Sequence, residues 1–403
     1  MKRLMLMLSV FAVLIVTSNR GFGDDLLLNL GPEELVQANG VDIEVPGYSV
    51  PSFVDWNNDN LKDLVIGEGG GNRDGKVRVY INVGTESNPQ FSDYFYVQSE
   101  GADLTCSASG CLGCFPRVVY WDDDERKDLL VGQADGTIRF FHNMGTDEKP
   151  RFDDGPLLQA GQAGVRRNID VGSRATPCVV DWNSDGNKDL VIGGYDGKIH
   201  IFINEGTDTE PDFLVETFAQ AKGSDLTVYG KRSSPVVADL DGDGKKDLLT
   251  GNTNGQLRFY QNVGTDAEPS FSDYSRVKSD GVDIQLPSSP RSRPSVCFWT
   301  GDGHFGPIDG YFDVLIGAGD GKVHLYRGIP TSGDLDGDGD VDFVDFALFA
   351  VHWRHTGYGQ CGEADLTDDG IVDTDDLRRF TENWLTSLAT QFSDTSPNAK
   401  HVE

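Results

Sequence analysis

The chain is short of positive charge: 34 lysines and arginines face 65 aspartates and glutamates over 403 residues, a formal net charge of −31. Nucleic-acid binding needs a basic footprint, so that class of partner is excluded. Long apolar runs are missing too. The longest, Leu4 to Val16, spans 13 residues, against the roughly 20 that a membrane-spanning helix requires. Lys2 and Arg3 stand before it, and Thr17, Ser18 and Gly21 to Gly23 follow. That order describes a secretory signal over residues 1–23, which predicts a secreted or cell-surface protein with no membrane span in the mature chain. Cysteine is scarce, with six residues, and Cys111-x-x-Cys114 is followed by Phe115, not by the histidine of haem attachment. In an exported chain these cysteines point to disulfides before metal. The pairing among Cys106, Cys111, Cys114, Cys178, Cys297 and Cys361 stays open, with Cys178 as the candidate partner for the Cys106 to Cys114 loop. Nucleophile elbows of the G-x-S-x-G type, zinc-protease helices and phosphate loops are all absent.

What the chain has is a repeat. Five segments align on a proline: PSFVDWNNDNLKDLVIG from Pro51, PRVVYWDDDERKDLLVG from Pro116, PCVVDWNSDGNKDLVIG from Pro177, PVVADLDGDGKKDLLTG from Pro235 and PSVCFWTGDG from Pro294. The last resumes as DVLIG at Asp313 after an insertion. Trp56, Trp121, Trp182, Leu240 and Trp299 stand five places on, so successive units are 65, 61, 58 and 59 residues apart. Each unit reads as an apolar strand, an acidic loop, a second strand such as Leu64-Val65-Ile66, and a hairpin turn such as Asp74-Gly75 or Asn254-Gly255. A third strand follows, with Val77, Val79 and Ile81 alternating against Arg78 and Tyr80. A fourth comes after N-x-G-T and P-x-F. Four short antiparallel strands per unit make a propeller blade. The fifth unit ends near Ile329 without its fourth strand, and Gly40-Val41-Asp42-Ile43 near the N-terminus matches Gly281-Val282-Asp283-Ile284 late in unit four. The fold class expected is therefore all-β: a five-bladed β-propeller over residues 24–329, closed by its N-terminal segment and monomeric, with no open edge.

The acidic loops have metal-ligand spacing. In unit four Asp239, Asp241, Asp243 and Asp247 place carboxylates at alternate positions of a tight turn, with Gly244 reversing the chain. Calcium takes six to eight oxygens in flexible geometry, which such a loop supplies. Unit one repeats it with Asp55, Asn57, Asp59 and Asp63, and unit three with Asp181, Asn183, Asp185 and Asp189. Unit two keeps Asp122, Asp124 and Asp128 but has Tyr120 in the first place. Unit five has Phe298, Thr300 and Asp302 and is expected to have lost the metal. Ordinary turns between strands are the plain alternative; three full matches in one register favour calcium as cofactor. On these D-x-N-x-D-x-x-x-D-L-V-I-G segments, residues 25 to 329 resemble the FG-GAP or VCBS repeat family, known from the integrin α-chain propeller. The resemblance implies calcium between the first two strands of a blade and leaves function open, since members bind proteins or glycans and some are lyases.

A different pattern begins after Gly328 to Gly333. Asp334, Asp336, Asp338, Asp340 and Asp345 hold positions one, three, five, seven and twelve of an EF-hand-type loop. A second copy starts 31 residues on, with Asp365, Thr367, Asp369, Ile371 and Asp376 at the same positions. Apolar stripes follow each loop, Phe346, Phe349 and Trp353, then Leu377, Phe380 and Trp384, and read as one small shared core. Residues 330–386 thus resemble a type I dockerin, with residues 387–403 as a tail. The resemblance implies a cohesin-like partner. Thr367 stands where the family has Asp or Asn, so the second site is expected to be the weaker, and positions ten and eleven differ between copies, Phe343-Val344 against Thr374-Asp375.

Two functions follow. The first is a non-catalytic binding or scaffolding protein, its propeller face holding a glycan or protein and its C-terminal module tethering it. The second is a polysaccharide-degrading enzyme, a lyase or glycoside hydrolase, with its site on the propeller face. The second would need a basic and aromatic cluster on one propeller face, for which Arg117, Arg166, Arg167, Arg174, Lys231, Arg232, Arg291 and Arg293, in or near inter-blade loops, are candidates. His352 and His355, three apart on a helix, are assigned a surface or packing role before a metal site.

Overall fold

The computed structural model describes residues 28–69, 74–107, 113–122, 124–279, 281–286, 290–299, 312–329, 333–335, 341, 343–356, 364–367 and 369–381. The signal segment, Asp336, Asp338, Asp340, Thr300, Asp302, Cys111, Cys361, Trp384 and the tail lie outside the described residues. Contacts divide the chain into a propeller, with residues 26–331, and a C-terminal unit. Among the described residues no helix is long and apolar enough to cross a membrane.

Five sheets form the blades. Blade 1 runs Ser49–Val54, Asp63–Glu68, Val77–Asn82 and Phe91–Tyr96, each strand antiparallel to the last. Blade 3 (Thr176–Val180, Asp189–Gly193, Ile199–Asn204, Phe213–Phe218) and blade 4 (Ser234–Ala238, Asp247–Gly251, Leu257–Asn262, Phe271–Arg276) repeat it. Blade 5 has Arg293–Cys297, Asp313–Gly317 and Val323–Gly328, and its fourth strand is Leu30–Leu35 from the other end of the chain, in register from Leu30↔Gly328 to Leu35↔His324. The five first strands pack side by side in a closed ring, Arg293–Cys297 returning against Ser49–Val54. Closure by the N-terminal segment holds, with one correction. Val41–Asp42 is not the fourth strand: it pairs with Gln37–Ala38 as a small hairpin, and that hairpin lies parallel to Phe91–Tyr96 on the rim of blade 1. Four-stranded blades were expected. Instead such a hairpin follows the fourth strand of one blade and caps the next, as at Gln159–Ala160, Gln220–Ala221 and Lys278–Ser279.

Blade 2 departs further. It has three regular strands, Phe115–Val119, Asp128–Gly132 and Ile138–Phe141, and its fourth is reduced to bridges Asn143↔Phe152 and Arg139↔Leu157. Gly155 takes φ 59° before Pro156, which breaks the ladder there. The Arg139 guanidinium fills the gap, donating to the Gly155 carbonyl at 2.7 Å.

Alternation along the third strand does not separate inside from outside. Val77 and Val79 enter a core shared with blade 2, while Tyr80 enters one shared with blade 5. Both faces of every blade are therefore buried. Each of the five interfaces holds the residue five places after the proline, and four of them pair a tryptophan with a phenylalanine of the next blade: Trp56 with Phe152 (5.9 Å), Trp121 with Phe213 (6.2 Å), Trp182 with Phe271 (5.9 Å) and Trp299 with Phe91 (5.8 Å). At the fifth, both partners change together: Leu240 packs in one cluster with Leu30, which occupies the phenylalanine position. The glycine ending D-L-V-I-G sets the blade spacing. A Cβ on Gly317 would stand 2.2 Å from the Ser49 carbonyl and 2.6 Å from Pro51 Cδ, and one on Gly132 would stand 2.0 Å from the Ala175 carbonyl.

The cysteine expectation needs correction. Cys106 is disulfide-bonded to Cys114 and Cys178 carries a thiol, because the bridge Gly75↔Cys106 and the Cys114 N–H bond to the Glu68 carbonyl bring the two loop ends together.

The C-terminal unit has a helix, Phe343–His352, and a second helical stretch over 374–381. Phe349 and Phe380 meet at 5.3 Å in a core with Val341, Ala364 and Val372, so the two stripes do share one core.

Leu30→Ala is expected to cost about 2–5 kcal/mol in denaturant unfolding. Deleting residues 1–35 should expose the Val323–Gly328 edge and cause self-association by light scattering; an equally stable, monomeric truncation would refute closure.

Candidate metal loops and the opposite face

In blades 1, 3 and 4 the first loop folds back on its own carboxylates. Asp55 accepts from the N–H groups of Asp59 (3.2 Å) and Asn60 (2.9 Å), and Asn57 Oδ1 accepts from Asp59 N–H (3.1 Å). Asp181, Asn183 and Asp185 copy this, with Asp181 accepting from Asp185 (3.1 Å) and Gly186 (2.9 Å). In blade 4 Asp239 accepts from Gly244 N–H at 2.9 Å. The side chains named for each loop are thus brought to one turn.

The closing aspartate does something the spacing did not show. Asp63 is fully buried and accepts from Trp56 N–H (2.9 Å) and Asn82 N–H (2.7 Å). Asp189 binds Trp182 and Asn204, and Asp247 binds Leu240 and Asn262, in the same way. In turn Asn82, Asn143, Asn204 and Asn262 accept through Oδ1 from two N–H groups beyond the third strand, for Asn204 those of Gly206 (3.0 Å) and Asp212 (2.9 Å). Asp313 makes the latch in blade 5 too, with Trp299 (2.5 Å) and Gly328 (2.9 Å). The ninth-position carboxylate is therefore a structural latch before it is a ligand.

In blade 4 one carboxylate oxygen each of Asp239, Asp241 and Asp247 lies within 4.8 Å of the others. Asp239 Oδ1 is buried without a hydrogen-bond partner. Burial, with Asp241 and Asp243 adding their charge, pushes Asp247 up to about 7, and burial with the carboxylates of their own loops pushes Asp63 and Asp189 up to about 6. Crowded carboxylates with an unused acceptor fit a hard divalent cation. Asp243, expected in the cage, instead bears the Lys245 ammonium at 2.5 Å. In blade 2 Asp122 meets His142 at 2.7 Å, Asp124 pairs with Arg126, and Asp128 accepts from Asn143 N–H at 2.8 Å.

In the C-terminal unit Asp365 accepts from Asp369 (3.1 Å) and Gly370 (2.7 Å), and Asp369 from Ile371 (2.9 Å). Asp345 and Asp376 are fully buried. Asp345 accepts from Leu335 N–H at 2.6 Å. Asp376 binds the Thr367 N–H (2.8 Å) and hydroxyl (2.9 Å), so Thr367 directs its side chain to the twelfth-position carboxylate. Asp334 is buried.

The acidic loops leave the C-terminal ends of the first strands, so the inter-blade loops lie on the opposite face. There Arg174 lies 5.4 Å over Phe115, Arg293 4.5 Å over Tyr48 and 5.6 Å over Phe115, and Arg291 4.6 Å over Tyr48. Arg117 lies within the ring, donating to Ser52 Oγ at 3.3 Å, and burial lowers its pKa. Arg166 pairs with Asp212 at 2.7 Å, next to exposed Arg167 of the rim hairpin. Arg232 lies 4.9 Å over Tyr195, beside exposed Lys231.

Sequence reading missed the residue beneath this patch. At the second place of the third strand, Arg78 pairs with Glu68 (2.6 Å), His200 with Glu216 (2.5 Å) and His324 with Glu33 (2.5 Å). Arg258 holds that place in blade 4, is fully buried, and has no carboxylate among the described residues. Its Nη2 donates to Gln256 at 3.1 Å, its Nε and Nη1 have no partner, and its guanidinium lies between Tyr274 (3.8 Å) and Tyr229 (5.2 Å), which is 67% exposed. The signal available was the acid that accompanies Arg78, His200 and His324 in this column and is missing at Arg258; Arg139 of blade 2 lacks it too, but donates to the Gly155 carbonyl instead.

Five blades around a closed ring, with an acidic loop opening each of the first four, define a β-propeller of the loop-bearing kind. An FG-GAP-like repeat family matches residues 181–250, from one such loop to the second strand of the following blade. No curated protein matches. Among solved structures, the chain is similar to a GH43_1 enzyme from Xanthomonas citri, at 10% identity and TM-score 0.42, covering 76% of this chain and 92% of that one. It is also similar to the Tc holotoxin pore of Photorhabdus luminescens, at 14% identity and TM-score 0.36, covering 76% of this chain and 15% of the toxin chain.

Asp313→Ala should destabilise the protein equally with and without calcium, because two buried N–H groups lose their acceptor, at about 1–3 kcal/mol each. Asp189→Ala should cost more in calcium than in chelator. Thermal melts of both variants in the two buffers test this, and identical calcium dependence would assign both residues to the latch alone.

Proposed function

We propose that the protein is a calcium-stabilised binding module. Its propeller holds an acidic glycan on the tyrosine–arginine patch of blades 3 and 4, and its C-terminal unit docks a cohesin-like partner. The observation that carries this reading is Arg258. A buried cation without a counter-ion costs several kcal/mol, and two tyrosine faces return only about 2 kcal/mol. A carboxylate or sulfate entering beside Tyr229 supplies the missing partner, and the exposed rings of Tyr195 and Tyr229 offer faces on which sugar rings stack. In a chain of charge −31 an anion is drawn only where cations gather, and Lys231, Arg232 and Arg258 gather here. Calcium in blades 1, 3 and 4 relieves the repulsion on the other face, and the paired acidic loops of the C-terminal unit support the tether.

Affinity electrophoresis on acidic and neutral polysaccharides tests the glycan reading. Acidic polymers should retard the protein, and Tyr229→Ala and Arg258→Met should each weaken binding at least ~10-fold. Arg258→Met should leave stability unchanged or raised, since an apolar isostere removes an unpaired charge. A destabilised Arg258→Met with unchanged retardation would make Arg258 a packing residue. New reducing ends or unsaturated products in the same samples would favour the degradative alternative. Capture by a purified cohesin, lost in Asp345→Ala, tests the tether.

A further inference from the structure

We infer that the loop of blade 2 is a zinc-type transition-metal site, not a calcium site, built on Asp122, Asp124 and His142, with the buried carboxylate of Asp128 as their charged neighbour. Three departures from the other loops coincide there. The first carboxylate is gone, and the Tyr120 that replaces it donates its hydroxyl to Asp147 at 2.7 Å, away from the loop. An imidazole has entered from the third strand. The position before the latch asparagine is Ile81, Ile203 and Gln261 in blades 1, 3 and 4. Gln261 shows that this position looks onto the third loop place, since its Nε2 donates to Asp241 Oδ2 at 2.8 Å. In blade 2 it is His142, with Nε2 at 2.7 Å from Asp122 Oδ2, and oxygen or nitrogen atoms of Asp122, Asp124 and His142 lie within 4.8 Å of one another.

The third departure is independent of the cluster. Asp128 is fully buried and its Oδ1 accepts from Asn143 N–H, but its Oδ2 has no partner. The equivalent oxygens of Asp63, Asp189 and Asp247 take the N–H of Trp56, Trp182 and Leu240. Half the latch has been released, and the charged neighbours of Asp128 are His142, Asp122 and Asp124.

Calcium takes oxygen ligands and gains affinity from carboxylate number. Here one carboxylate is replaced by Tyr120, and Arg126 offsets the charge of Asp124. Imidazole with carboxylates suits zinc and its neighbours in tetrahedral geometry. With ligand bonds of about 2.0–2.1 Å, adjacent donors stand about 3.3 Å apart, so Asp122 and His142 need open only slightly. The backbone at His142 is held by its main-chain N–H donating to Asp153 Oδ1 at 3.0 Å, and its ring lies edge-on to Phe140 at 4.9 Å.

The test uses the full chain in excess calcium, with zinc counted by native mass spectrometry and cobalt(II) as the absorbing probe. Wild type should retain one zinc and show a ligand-field band. His142→Gln, which gives blade 2 the residue of blade 4, should lower zinc affinity at least ~10-fold and abolish the band while leaving the zinc-free thermal melt unchanged, and Asp128→Asn should weaken binding likewise. Zinc displaced from wild type by calcium would overturn the assignment. So would zinc retained in His142→Gln but lost in a His352→Gln/His355→Gln double variant. Neither outcome depends on calcium in blades 1, 3 and 4.

Discussion

A buried carboxylate that accepts from backbone N–H groups through both oxygens holds each of blades 1, 3, 4 and 5 in shape. Asp189 ties the start of its own loop, at Trp182, to the end of the third strand, at Asn204. Asn204 then fixes the turn into the fourth strand through Gly206 and Asp212. Charge-assisted bonds of this kind are roughly twice as strong as neutral ones, and inside the blade no water competes for the donors. Everything else hangs on this pair. The acidic loop is pinned where it enters and leaves, so its remaining oxygens are presented with little freedom, and the tryptophan whose N–H is bound is aimed into the next interface. Blade 5 keeps the pair, through Asp313, although Gly328 replaces the asparagine and a fourth strand arrives from the distant N-terminus.

Ring architecture was legible because a closed propeller demands the same residue type at the same place in every blade. Proline, tryptophan and the D-L-V-I-G glycine each answer to one contact repeated around the axis, so their spacing reports blade number directly. Closure was legible for the same reason, since a unit lacking its fourth strand leaves an open edge. The rim hairpins were not. Strands of two residues carry no periodicity, and only consecutive positive φ angles, such as Asn39 (51°) and Gly40 (74°), mark their turns. The latch was hidden because ligand and hydrogen-bond acceptor ask for the same residue. Arg258 was hidden because its meaning lies in an acid that is absent.

Blade 2 shows how departures in a repeat depend on one another. Gly155-Pro156 ends the fourth strand early, and that frees Asp153 to accept from His142 N–H (3.0 Å) and Gly155 N–H (3.0 Å). The broken strand therefore fixes the main chain at the residue whose imidazole meets Asp122. On the same blade the Cys106–Cys114 bridge stiffens the entry to the first strand, where the rim hairpin Gln98–Ser99/Ala102–Asp103 pairs only with itself and, through Ser99, with Phe152. A sheet that loses ladder hydrogen bonds needs other constraints to stay in register.

The two faces of the ring face opposite electrostatic problems. On one, carboxylates crowd until Asp247 is pushed up to about 7, a state that a divalent cation relieves more fully than scattered lysines would. On the other, Arg258 is buried between Tyr274 and Tyr229, whose rings hold a guanidinium without neutralising it. On the first face the buried carboxylate that crowds the loop also ties the first strand's end to the third strand, so loop charge and blade shape depend on the same residue. On the second, a guanidinium stacked on tyrosine keeps its place through ring contacts alone. Carboxylate latch and stacked arginine thus stand at opposite ends of the blade, which lets the residues of one end change without unseating the other.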